Sequence, residues 1–286
     1  MRTLEARFTR REVIAVAGAT AAGYALAAGP AKASAIQTSS DGLVVGDVRI
    51  PVADGSLSAY RALPEGSQRP PVVLVIHEIF GVHEYIRDVC RRLAHEGYFA
   101  IAPDLFQRQG DVSKLESVRE VIDQVVNQVP DAQVLSDLDA TLAWVRAQDA
   151  HPERAYTLGF CWGGRIVWLY AGHRPELTGG AAFYGRLEGE RSDLKPRYPI
   201  DLASGKLAPV VGLQGGADRG IPLESVYSMR KKLAEAGQKS EILIFPTAPH
   251  GFHADYRASY RELPARQAWR RTFEWYERFW RERPRH

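Results

Sequence analysis

The chain has 286 residues, of which 45% are hydrophobic and 25% charged, enough for one large domain with a buried core. The first 35 residues hold five of the 37 Lys and Arg and two of the 34 Asp and Glu, which leaves 32 of each sign and no net charge in the remainder. This balance argues against nucleic-acid binding, and two cysteines are too few for a disulfide framework or a cysteine metal cluster.

Residues 1–35 predict an export signal. Arg10 and Arg11 form a twin-arginine pattern, a soft Ala- and Gly-rich apolar stretch follows, and small-x-small cleavage patterns end at Ala33 and Ala35. This order is typical of a Tat-type signal that is cleaved, so we expect a periplasmic or secreted protein with the Tat export machinery as a partner. The apolar stretch is too short to span a bilayer comfortably, so we expect no stable membrane insertion. An Ala-rich helix or a membrane anchor is the alternative.

Residues 36–286 predict a single α/β domain, because short apolar strands alternate with helices. The first two strands join at Asp54-Gly55, a hairpin dipeptide, and the later ones are apolar runs typical of strands buried on both faces. The fold class expected is therefore a doubly wound, mostly parallel sheet with an antiparallel N-terminal strand pair, and 186–206 form a surface excursion. Predicted strands are 43–50, 56–62, 72–76, 99–102, 154–158, 180–184, 209–214 and 241–245; predicted helices are 84–96, 112–128, 131–147, 165–171, 222–236 and 265–281.

A glycine-rich turn lies at the centre of the chain, in Gly159-Phe160-Cys161-Trp162-Gly163-Gly164. It follows a predicted strand and precedes a predicted helix, as in the nucleophile elbow G-x-S-x-G of the α/β-hydrolase fold, with Cys161 in place of Ser. A side chain at Gly159 or Gly163 would collide with the neighbouring strand or helix. The positive end of the helix dipole favours the Cys161 thiolate. The alternative is a tight turn around a small buried cysteine.

The partners that such a nucleophile needs occur in the required order, acid and then histidine. Asp218 follows the strand that ends at Gln214, and His250 follows the strand that ends at Phe245. His250 would take or hold the Cys161 proton, and Asp218 would orient the imidazole. The alternatives are a turn-forming Asp and a surface His.

Two backbone amides are expected to stabilise a developing oxyanion. One is the N–H of Trp162, after the nucleophile, and the other is the N–H of Ile79, in the loop after the strand 72–76. Glu78 in that loop is unusual, because a carboxylate near a thiol raises the pKa of the thiol. We expect Glu78 to hold Cys161 unreactive until substrate arrives.

Five segments together carry a resemblance to a known family: His77-Glu78-Ile79-Phe80-Gly81, Pro103-Asp104-Leu105-Phe106, Gly159-Phe160-Cys161-Trp162-Gly163-Gly164, Gly216-Ala217-Asp218 and His250-Gly251-Phe252. Over roughly residues 42–283 the chain resembles the dienelactone hydrolase (carboxymethylenebutenolidase) family. The resemblance implies a triad of Cys161, His250 and Asp218, and a Glu78 that pairs with the resting thiol.

Arginines bind the substrate carboxylate in that family. Arg108 matches one of them, and a second family position, four residues after the catalytic His, is Ala254 here. Arg257 is nearby but out of register. An exposed surface charge is the alternative for Arg108.

The function predicted is hydrolysis of an activated small-molecule ester or lactone through a thioester acyl-enzyme, without a cofactor or a metal. The alternatives are a non-catalytic exported ligand-binding protein on the same scaffold and a broader aryl or acyl esterase. A thiol peptidase lacks support in the sequence around Cys161. A metallohydrolase is disfavoured because His77-Glu78 has no second His at helical spacing.

Overall fold

The computed structural model describes residues 36–283; the predicted export signal, 1–35, lies outside the described residues. The chain forms eight strands: β1 Leu43–Val52, β2 Gly55–Pro64, β3 Val72–Ile76, β4 Phe99–Pro103, β5 Ala155–Phe160, β6 Gly179–Phe183, β7 Val210–Gly215 and β8 Glu241–Phe245. They form one sheet in the order β1-β2-β4-β3-β5-β6-β7-β8. β1 and β2 form an antiparallel pair, β2 pairs antiparallel with β4, and the pairings from β4 to β8 are parallel. The predicted fold class is therefore confirmed.

The sequences of the central strands are apolar because both faces of these strands are covered. Every residue of β3 to β7 is buried, whereas β1, at the edge, is largely exposed. Five long helices pack on the sheet: α1 Glu84–His95, α2 Asp131–Arg146, α3 Trp162–His173, α4 Leu223–Glu235 and α5 Glu262–Arg281. Across residues 36–283, no helix is both long and apolar enough to cross a membrane.

The predicted helix over 112–128 is wrong as a single element. The backbone leaves the helical region at Leu115, and Ser117 and Glu120 form a capping box that begins a new turn. Local side-chain bonds to the backbone thus compete with a continuous helix. The segment consists of short turns at Val112–Lys114, Val118–Glu120, Val121–Val125 and Val126–Gln128.

The segment 186–206 is mostly irregular, as expected, with one short helix at Pro199–Leu202. It is anchored to the domain by Leu187 and Ala203, which are fully buried. The excursion is therefore packed against the domain at both of its ends.

Candidate active site

The turn between β5 and α3 is made by Cys161 alone. Its backbone is left-handed, at φ 55° and ψ −113°, a conformation that costs a non-glycine residue about 1–3 kcal/mol. A Cβ at Gly159 would lie 2.3 Å from the carbonyl oxygen of Gly163, and one at Gly163 would lie 2.2 Å from that of Ile76. The predicted collisions are confirmed, and only glycine fits at these two positions of the elbow.

The Cys161 side chain stands at the N-terminus of α3, where the helix dipole favours a thiolate. The residue is 3% exposed. Cys90 is also a free thiol, but it is buried within α1, and burial raises its pKa. Of the two cysteines, Cys161 is the one that stands at a helix N-terminus.

The loops after β7 and β8 bring Asp218 and His250 together. They are joined by a hydrogen bond from the Ala217 N–H to the Ala248 carbonyl, 3.0 Å long. The Nδ1 atom of His250 lies 2.7 Å from Oδ2 of Asp218, whose other oxygen accepts the Gly220 N–H at 2.7 Å. The Asp218 carboxylate is thereby fixed on both oxygens and holds the imidazole in one orientation.

His250 also hydrogen-bonds with Cys161. Burial lowers the pKa of His250, but the charge of a Cys161 thiolate and the bonds to Asp218 and Cys161 outweigh it and raise this pKa to about 10. The imidazole is therefore bonded to the Asp218 carboxylate and also interacts with Cys161. The ring of Tyr184 packs against the His250 ring, with centroids 5.1 Å apart. Tyr184 has a left-handed backbone, at φ 37°. The sequence did not predict this contact.

Trp162 directly follows Cys161, and Ile79 lies in the loop after β3, on whose end the start of α3 packs. Within residues 36–283 neither N–H donates a hydrogen bond to a protein acceptor. Each N–H is therefore a candidate donor to a developing oxyanion.

Glu78 does not bind the thiol in this structure, contrary to the expected pairing. Its Oε1 accepts a hydrogen bond from Nη2 of Arg257 at 2.6 Å, and both oxygens lie 3.1–3.2 Å from the Tyr256 hydroxyl. Burial raises the pKa of Glu78, but the Arg257 charge, His83 and Tyr256 together lower it to about 2. A guanidinium is a stronger donor to a carboxylate than a thiol is, so Glu78 is held as an anion by Arg257.

Arg257 reaches the site although its register differs from the family position. Two successive turns follow the catalytic histidine, with the Ala254 N–H bonded to the Gly251 carbonyl and the Arg257 N–H bonded to the Ala254 carbonyl. Arg257 is 3% exposed and stacks 5.0 Å from the Phe80 ring. The number of residues between His250 and Arg257 did not predict that Arg257 reaches the site, because the two turns, rather than linear spacing, decide where its side chain points.

Arg108 does not have the role expected of it. Its guanidinium binds Asp54 through two bonds of 2.6 Å and Asp137 through bonds of 2.6 and 3.0 Å. It thus joins the β1–β2 hairpin to α2. Because two carboxylates already bind this guanidinium, it does not form a binding site for a substrate carboxylate.

A cavity of about 380 Å³ opens beside the loop that carries Glu78. Phe80 and His83 line it on one side, and the segment Gly110 to Ser113 lines it on the other. Neither Cys161 nor His250 lines it, so this cavity does not contain the two reactive groups.

Comparison with known proteins places these features in context. Residues 57–280 match the dienelactone hydrolase family. A protein assigned as a carboxymethylenebutenolidase from Methylorubrum extorquens is 49% identical over 283 residues, which is 98% of this chain and 97% of that protein. One from Escherichia coli is 46% identical over 90% of this chain and 95% of its own. The crystal structure of a protein assigned as a dienelactone hydrolase from Klebsiella pneumoniae superimposes with a TM-score of 0.81 at 45% identity, covering 83% of this chain and 99% of that one.

Proposed function

The chain belongs to the dienelactone hydrolase family and is a hydrolase of that kind, and we propose that it cleaves activated esters or lactones through a thioester on Cys161. The observation that carries the proposal is the position of His250. Its ring is bonded to Asp218 on one side, at 2.7 Å, and to Cys161 on the other. This arrangement supports a nucleophile, a proton carrier and an orienting carboxylate, in that order.

In the first half-reaction, the Cys161 thiolate attacks the carbonyl carbon, and the Ile79 and Trp162 N–H groups stabilise the oxyanion. The bond from carbon to the leaving oxygen then breaks, and His250 gives that oxygen its proton. In the second half-reaction, His250 takes a proton from water, the hydroxide attacks the thioester, and the thiolate leaves. The ester becomes an acid and an alcohol, and the thiolate and the imidazolium are regenerated.

The substrate class follows from the leaving-group chemistry of sulfur. A thiolate is itself a good leaving group, so the tetrahedral intermediate can lose it and return to substrate. The intermediate goes on to the acyl-enzyme only when the departing oxygen is also a stabilised anion. Enol lactones and aryl esters meet this condition, and amides do not. We therefore expect activated small-molecule esters and lactones to be the substrates.

The ion pair between Glu78 and Arg257 supports a reactive thiolate. An isolated carboxylate near Cys161 would raise the pKa of the thiol. With Arg257 bound at 2.6 Å, the pair is electrically neutral, so the Glu78 charge opposes the thiolate much less. Arg257 thereby permits a glutamate beside a cysteine nucleophile.

We also propose that the chain is exported by the Tat machinery and works in the periplasm or outside the cell. The support is the sequence of residues 1–35, with Arg10 and Arg11 before an apolar stretch and a small-residue cleavage pattern. Export in a folded state suits a protein that must keep Cys161 reduced in an oxidising compartment.

Turnover of p-nitrophenyl acetate tests the nucleophile. Cys161→Ala should reduce kcat to near the level of the uncatalysed reaction, while Cys90→Ala, which removes the other free thiol, should leave it close to wild type. Equal rates for wild type and Cys161→Ala would remove Cys161 as the nucleophile.

A further inference from the structure

His77 directly follows β3 and has no exposed surface. Its Nδ1 lies 2.7 Å from the Glu78 carbonyl oxygen, and its Nε2 lies 3.1 Å from the Leu105 amide nitrogen. Both ring nitrogens therefore bind backbone groups of the two loops that border the elbow. No step of the proposed reaction involves the His77 side chain.

The partners of the ring decide its tautomer. The Leu105 N–H can only donate, so Nε2 accepts, and the proton of a neutral ring is on Nδ1, which donates to the Glu78 carbonyl. Burial lowers the pKa of His77. A second proton would also place two N–H groups face to face at Leu105. The neutral ring thus donates one hydrogen bond, to the Glu78 carbonyl, and accepts one, from the Leu105 N–H.

The Glu78 carbonyl is part of the same peptide unit as the Ile79 N–H. A peptide unit is planar and trans, so its C=O and N–H point in opposite directions, and holding one fixes the other. We propose that His77 is a positioning residue that aims the Ile79 N–H at the oxyanion. This inference rests on the proposed function, because it assigns a residue to the oxyanion site of that reaction.

The other oxyanion donor contacts the same residue. The His77 ring stacks on the Trp162 ring, with centroids 5.5 Å apart and planes inclined by 17°. A Cβ at Gly163 would lie 2.6 Å from the His77 carbonyl oxygen, so the start of α3 packs directly on this backbone. His77 therefore ties the segments of both amide donors to each other.

Two amide variants separate the two ring nitrogens. The side-chain amide of Asn ends as far from Cβ as Nδ1 does, whereas that of Gln reaches the position of Nε2. His77→Asn can therefore keep the bond to the Glu78 carbonyl, and His77→Gln keeps only the contact with Leu105. Single-turnover acylation by p-nitrophenyl acetate should be about 10–100-fold slower in His77→Gln, less than the full loss of an oxyanion donor, and within about threefold of wild type in His77→Asn.

Alkylation of Cys161 by iodoacetamide is the matched readout, because this reaction needs the thiolate but forms no oxyanion. It should change by less than about twofold in both variants. Unchanged acylation in His77→Gln, an equal loss in His77→Asn, or a parallel loss of alkylation would overturn the inference. A failure of the proposed function would appear separately, as ester turnover that survives in Cys161→Ala.

Nitrogen NMR of the wild-type protein tests the two hydrogen bonds of the His77 ring without a variant. The His77 ring should be the neutral Nδ1–H tautomer at pH 7. A proton on Nε2 at that pH would overturn the assignment.

Discussion

Replacing Arg257 by Gln should destabilise the protein mainly at neutral pH. The variant leaves the Glu78 carboxylate, which is 1% exposed, without its guanidinium partner. The pKa of Glu78 is lowered from 4.5 to about 2, which corresponds to about 3 kcal/mol of stability when the group is ionised. Removing one member of a buried pair typically costs about 3–5 kcal/mol, so we expect a loss of about 3 kcal/mol at pH 7.

The pH dependence has a definite sign. Because the folded-state pKa of Glu78 is depressed, its contribution is complete well above pH 4.5 and is lost as the pH falls towards 2. The difference between wild type and Arg257→Gln should therefore shrink to about 1 kcal/mol by pH 3. Urea unfolding at pH 7 and pH 3 measures both values.

A matched control is Arg87→Gln, which breaks an ion pair with Asp47, a residue that is largely exposed. This change should cost less than about 1 kcal/mol. Glu78→Gln combined with Arg257→Gln should recover part of the loss, because no unpaired charge stays buried. If Arg257→Gln is no more destabilising than Arg87→Gln, or equally destabilising at both pH values, the buried pair does not have the energy assigned to it.

Three further predictions concern Arg108, His250 and the leader. Arg108→Ala should lower the free energy of unfolding by about 2 kcal/mol through loss of its bonds to Asp54 and Asp137, and leave the kcat/KM ratio between carboxylate-bearing and neutral aryl esters unchanged. A changed ratio would restore a substrate-binding role. The pKa of His250 is raised to about 10, so its charge should support the thiolate above pH 6.5 and be lost as the pH approaches 10. His250→Gln should accordingly slow iodoacetamide alkylation at least about tenfold at pH 7 but much less at pH 10, and equal rates at pH 7 would contradict the ion pair. Replacing Arg10 and Arg11 by Lys should leave the precursor in the cytoplasm on fractionation, whereas normal export would refute the Tat assignment.

The sequence predicted the structure best at positions where the local geometry allows only certain residue types. The elbow needs glycine at 159 and 163 because a Cβ would meet backbone oxygens at 2.2–2.3 Å, and this requirement is visible as a motif. The buried strands were visible as apolar runs for a similar reason, since both of their faces are covered. Chain order then indicated where Asp218 and His250 would meet the elbow.

What could not be predicted depends on contacts between distant segments. Arg108 lies at a family position, but its two partners come from a hairpin 54 residues away and a helix 29 residues away. Glu78 is bound by Arg257, 179 residues further along, which turns in the loop bring into reach. No local sequence pattern predicts either ion pair, and a motif does not show whether an arginine already binds a carboxylate of the protein.

Acyl-enzyme trapping tests the central claim most directly. Wild-type protein mixed with p-nitrophenyl acetate, quenched in acid within the burst and mapped by mass spectrometry, should hold an acetyl group on the peptide that contains Cys161 and none on that of Cys90. Neutral hydroxylamine should remove it, as it removes a thioester. Acetyl on another side chain, or full turnover with Cys161 never acylated, would contradict the account.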